Sequence, residues 1–156
     1  RSDLERMVDV DGEPIVVGAT VYVASFQGGV AAVSVIDGQI EWTREISSYA
    51  ELAVGEERVY ITDDTGGVWA LDRHSGTSVW KQDGLSYRHP SGPQYYRGYV
   101  VVGDFEGYMH WLDATTGEFA YRAQIDDKRI ITPAIPAGNV LLSYSSTGRL
   151  SAVRIQ

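Results

Sequence analysis

Short apolar runs recur along the chain at a near-constant interval, each broken by a polar turn. Val21-Tyr22-Val23, Val59-Tyr60-Ile61, Val100-Val101-Val102 and Leu141-Leu142 open four copies of one pattern, spaced 38, 41 and 41 residues apart. Such β-branched and aromatic runs suit a pleated surface. A polar turn follows each run, and Gly28, Gly66, Gly107 and Gly148 fall in one column of it. A second strand is predicted over 30–35, 68–72 and 108–113. In that first turn the shared glycine can take a left-handed φ without a Cβ clash, and the next turn carries Asp37-Gly38, Ser75-Gly76 or Thr116-Gly117. A third strand then ends on an aromatic residue: Trp42, Trp80 or Tyr121. One more apolar stretch precedes each copy, over 14–17, 52–54, 93–96 and 132–135. The pattern calls for no helix of useful length. Only Asp3 to Val8 hints at one turn, with Leu4, Met7 and Val8 at helical spacing.

Four short strands in every unit of about 40 residues, with glycine and aromatic columns, predict an all-β chain of propeller blades. The units run approximately over 12–46, 50–83, 90–125 and 130–156, and together form a partial β-propeller over 1–156. The last unit is incomplete, because no glycine turn or fourth strand follows Val153-Arg154-Ile155. A β-sandwich also has short strands and frequent turns, but it has no reason to repeat one sequence at this interval. A blade cannot bury both its faces alone. The aromatic column is therefore expected to fill the gap to the neighbouring blade, the alternative being a stacking platform for a ligand.

Composition narrows the function. The chain has 13 Lys and Arg against 21 Asp and Glu, a net charge of −8. That argues against nucleic acid or an anionic lipid surface as the main partner, since each calls for a basic patch. The absence of cysteine removes disulfides, thiolate metal sites and cysteine nucleophiles. No apolar run approaches the roughly 18 residues of a membrane-spanning helix. The start at Arg1-Ser2-Asp3 reads as a cut end, so the chain is expected to be part of something longer.

Asp9-Val10-Asp11-Gly12 is the first candidate site. As an EF-hand loop it fails, because glycine and the closing glutamate are not at their required positions. It remains open as a structural turn or as a binding edge, with two carboxylates projecting to one side of an extended segment toward a basic partner. Asp72 and Asp113 share a column and read as turn caps. Asp63-Asp64, Asp104 and Asp126-Asp127 read as solvated loop tips, with metal ligation or paired acid catalysis as alternatives. His74, His89 and His110 form no metal motif, and His110 reads as a packed or surface ring. There is no nucleophile elbow, P-loop or dinucleotide fingerprint. No catalytic, metal or cofactor site is expected.

Ala70-Leu71-Asp72-x-x-Ser75-Gly76-x-x-x-Trp80 and Trp111-Leu112-Asp113-x-x-Thr116-Gly117-x-x-x-Tyr121 resemble the tryptophan-docking repeat of PQQ-like, quinoprotein-type propellers. Within that superfamily, three features are most similar to the BamB family of outer-membrane assembly lipoproteins. They are Leu4 to Asp11, the run Val100-Val-Val-Gly-Asp-Phe-Glu-Gly-Tyr108, and the spacing of the final copy. The likeness extends over essentially the whole chain. It implies an eight-bladed ring, closed by pairing an N-terminal segment with the last blade, of which this chain is the C-terminal half. It also implies a non-enzymatic scaffold of the barrel-assembly (BAM) complex in a Gram-negative bacterium. The scaffold would lie at the periplasmic face of the outer membrane, held by a lipid anchor outside this chain. By the same resemblance, Asp9 and Asp11, with Arg6 beside them, fall on the loop that docks BamA through a POTRA domain. Unfolded outer-membrane proteins are a further implied partner. A quinone-dependent dehydrogenase of the same fold would need an Asn and Glu metal set and a vicinal cysteine pair, which the sequence lacks. Half a ring leaves blade faces and a strand edge uncovered, so self-association is expected of the chain alone.

Overall fold

The computed structural model describes residues 12–26, 28–49 and 51–155. The helical turn expected at 3–8 lies outside them, and no helix occurs among the described residues. Among the described residues, fifteen strands form four antiparallel sheets. The first holds β1 (Ile15–Val17), β2 (Thr20–Ser25), β3 (Gly29–Ser34) and β4 (Ile40–Arg44). The second holds β5 (Ala53–Val54), β6 (Arg58–Thr62), β7 (Val68–Asp72) and β8 (Ser78–Gln82). The third holds β9 (Gln94–Tyr96), β10 (Tyr99–Gly103), β11 (Tyr108–Asp113) and β12 (Phe119–Gln124). The fourth has three strands, β13 (Ile135–Ala137), β14 (Val140–Tyr144) and β15 (Leu150–Val153). Within each sheet the strands pair strictly in chain order. This meander, stacked sheet upon sheet, is a run of propeller blades.

The cores lie between successive sheets. Tyr22, Val30 and Trp42 of the first sheet pack with Val59, Ile61 and Leu71 of the second. On the other face of the second sheet, Tyr60, Val68 and Ala70 pack with Val100, Val102 and Leu112 of the third. Val101, Met109 and Trp111 then face Leu141 of the fourth. Middle strands are thus covered on both faces. That is why they read as continuous apolar runs rather than alternating ones.

The third and fourth strands of each complete sheet meet through a recurring irregularity, at Ala32/Val33, Ala70/Leu71 and Trp111/Leu112. A bulge re-aims the side chains that follow it. In the first sheet Trp42 turns onto the second, where its Nε1 donates to the Arg73 carbonyl at 2.8 Å. Trp80 repeats the arrangement on the third sheet, donating to the Ala114 carbonyl at 3.0 Å. The accepting turns are capped from within: Asp72 Oδ1 accepts from the His74 and Ser75 amides, and Asp113 Oδ1 from those of Thr115 and Thr116. Tyr121, the third member of the aromatic column, is 52% exposed and meets Tyr99 edge-on. Among the described residues the fourth sheet presents no such turn for it to dock on.

Candidate partner-binding face

The chain leaves each sheet from its outer strand and reaches the next through connectors 45–52, 83–93 and 125–134. These connectors meet the turns between the second and third strands at one end of the stack. A single backbone bond recurs there. The Asp64 amide donates to the Ser47 carbonyl at 2.9 Å, Phe105 to Arg88 at 3.1 Å and Ser146 to Arg129 at 2.8 Å. The glycine column closes the same turns, with Gly28, Gly66, Gly107 and Gly148 donating to the carbonyls of Ser25, Asp63, Asp104 and Ser145. Gly12, the first described residue, sits at this end. A Cβ built on it would lie 3.7 Å from the Ala24 carbonyl oxygen and 3.8 Å from Glu51 Cα. Asp9, Asp11 and Arg6 immediately precede it and lie outside the described residues.

The reading of Asp63 and Asp104 as solvated loop tips is corrected. Asp104 is fully buried. Its Oδ2 accepts from Arg88 Nε at 2.9 Å and Nη2 at 2.8 Å and lies 2.7 Å from His110 Nε2. Its Oδ1 accepts the Glu106 and Tyr108 amides at 2.9 and 3.1 Å. Asp63, in the same repeat column, accepts from the Thr65 and Gly67 amides and from Trp69 Nε1 at 2.8 Å. Both carboxylates are girders of the turn, tying it to the strand six residues on. Asp126 accepts from the Ser145 hydroxyl and, at 2.9 Å, from that of Thr147. Among the described residues no three His, Asp or Glu side chains are grouped to hold a metal.

Burial works to raise the Asp104 carboxyl, but its hydrogen bonds from His110, Tyr108, Arg88 and Glu106 outweigh that and hold it below the usual range. Asp63 is held low by the same balance, with Trp69 the leading donor. Burial pushes the His110 imidazole down against the pull of Asp104, so it is neutral near pH 7. Its neutral form therefore favours the fold. That contribution is complete above the unfolded value of 6.5 and is lost as pH falls below it. Asp63 and Asp104 contribute above 3.8 and lose their share on further acidification. Urea midpoints are thus expected to drop in two stages on acidification. His110→Gln should remove the first stage; an unchanged first stage in that variant would assign it elsewhere.

The connector end also displays aromatic side chains that the repeat columns do not reveal. Phe26 stacks on Tyr49 with ring centroids 4.6 Å apart. Tyr87 is 88% exposed on a left-handed backbone (φ 67°). Aromatic residues in polar connectors were the available signal for them.

Comparison with known proteins decides the family. The family described as Outer membrane protein assembly factor BamB matches over residues 1–82. The chain belongs to the BamB family. It is 38% identical over 155 residues to the BamB of Alkalilimnicola ehrlichii, covering 99% of this chain and 40% of that protein. The crystal structure of BamB from Moraxella catarrhalis superposes with a TM-score of 0.88 at 28% identity, over 95% of this chain and 45% of that one. The chain therefore spans less than half the length of these BamB relatives. A quinohemoprotein alcohol dehydrogenase from Comamonas testosteroni shares the fold alone, with a TM-score of 0.64 at 24% identity.

Proposed function

We propose that this chain is a segment of a non-enzymatic scaffold in outer-membrane barrel assembly, working at the periplasmic face of the outer membrane without a cofactor. Family membership is the observation that carries this reading. In the intact protein, the Asp9–Asp11 segment, with Arg6, docks a POTRA domain of BamA. Three features support that role. The two acids stand on alternate residues, the chain is strongly acidic, and Gly12 enters at the end where connectors and turns gather. Unfolded barrel proteins are a second class of client, met by strand pairing at open edges. A lipid anchor in the remainder of the protein holds the scaffold at the membrane.

The test is co-purification of BamA with the full-length protein carrying Asp9→Arg and Asp11→Arg. Removing one side of a desolvated charge pair costs roughly 2–5 kcal/mol, so retention of BamA should fall at least tenfold. Undiminished retention would take the docking role away from these two residues.

A further inference from the structure

The connector over 83–93 is pinned more firmly than its two counterparts, and it is the one that carries backbone strain. All three connectors accept an amide from the facing turn, at the carbonyls of Ser47, Arg88 and Arg129. Among the described residues, Arg88 alone of the three also sends its side chain into that turn, onto Asp104. Its two neighbours, Tyr87 and His89, stand at φ 67° and 48°. A residue with a Cβ stays in that left-handed region only where its surroundings hold it there.

The hold converges on one oxygen. The Glu106 and Tyr108 amides occupy Asp104 Oδ1. Arg88 Nε and Nη2 and His110 Nε2 therefore all meet at Oδ2, at 2.9, 2.8 and 2.7 Å. With a neutral imidazole, one cation and one anion balance there. The ring faces Asp104 from the turn and Arg88 from the connector. Arg122 pairs opposite it from β12, the uncharged Val102 from β10, and the Phe119 ring meets it edge-on. A proton on the imidazole sets a second cation on an oxygen that Arg88 already holds, with Arg122 as a third nearby. The ring borders a cavity of about 450 Å³ that Arg88 and Arg122 also line, so water can bring that proton without the sheets parting. Of the two cations on Oδ2, Arg88 is the one free to leave. Its side chain is 30% exposed against 5% for His110, and Glu106 Oε2 stands 3.5 Å from its Nη2 as a second seat.

We propose that Arg88, Asp104 and His110 form a proton-operated latch: protonation of the imidazole shifts Arg88 from Asp104 to Glu106 and frees the 83–93 connector from its left-handed conformation. Burial holds the imidazole below its ordinary 6.5, so the latch is closed near neutral pH and opens on acidification. Tyr87 and His89 then relax, and the aromatic display at the connector end changes with pH. The latch operates whether or not Asp9 and Asp11 dock a partner.

Hydrogen exchange of the intact protein that carries this chain, corrected for the intrinsic pH dependence of exchange, reads the latch between about pH 7.5 and about pH 5. The Arg88 and Phe105 amides donate to the Leu85 and Arg88 carbonyls. Their protection should fall about tenfold or more in a step below pH 6.5, as for the loss of one charge-assisted hydrogen bond. The amides of β10 should keep theirs. His110→Gln still offers Asp104 a donor but takes up no proton, and should abolish the step. Glu106→Gln removes the charge from the second seat and should weaken the step; that side chain is half-exposed, so thermal melts should match the parent. Arg88→Gln should leave the connector unprotected throughout. An absent step, a step that persists in His110→Gln, or an equal step in β10, the mark of global unfolding, would overturn the latch.

Discussion

Asp104→Ala is expected to lower stability by about 2–3 kcal/mol, the cost of leaving several donors around a buried carboxylate unsatisfied, while the partly exposed Arg88 keeps water and Glu106. The side chain has no exposed surface. Its loss leaves the Arg88 guanidinium without its principal partner, the His110 ring without its acceptor, and the Glu106 and Tyr108 amides unpaired. Asp104→Asn should cost less, because the amide keeps the shape and one acceptor while giving up the charge. Adding His110→Leu to Asp104→Ala should recover part of the loss, since one orphaned donor goes with it. Urea unfolding monitored by tryptophan fluorescence reads all three. A change below about 1 kcal/mol for Asp104→Ala would mean that solvent reaches the turn and satisfies its donors.

The strand repeat was legible because turn chemistry and β-propensity agree in every copy. The second-sheet strand Val68–Asp72 and its third-sheet equivalent Tyr108–Asp113 have the expected bounds. The inner strand of the fourth sheet does not: it was expected over 132–135 and forms as Ile135–Ala137. A tight turn at Gly138-Asn139, with Gly138 at φ 62°, pairs Ala137 with Val140 and sets the register from the other end. The role of Asp104 was illegible for a different reason. An aspartate beside a turn glycine looks the same whether solvated or buried. What buries this one is Arg88, sixteen residues upstream, together with the ring of His110. Likewise, membership of Tyr121 in the aromatic column is visible in sequence, whereas docking depends on the turn that the next sheet presents. The candidate docking acids Asp9 and Asp11 rest on sequence and family alone, since they precede the described residues.

Trp42→Ala should cost about 3–5 kcal/mol, as for other buried aromatic residues truncated in a packed interior. The indole joins two sheets: it is buried against Tyr22 and donates to the Arg73 carbonyl. Its partner surface is Gly76, which stands at φ 73°; a Cβ there would come within 2.6 Å of the indole carbons. Gly76→Ala therefore strains the backbone and pushes the ring from its seat, for a loss of about 2 kcal/mol or more. The two changes should not add. With the indole gone, the added methyl meets space rather than a ring, and only the backbone cost remains, so the double variant should be more stable than the sum of the singles predicts. Strict additivity would show that the glycine column serves turn geometry alone. Coupling would show why glycine and tryptophan recur together, one blade apart: each blade keeps its turn free of a side chain so that the ring of the blade before can lie flat upon it.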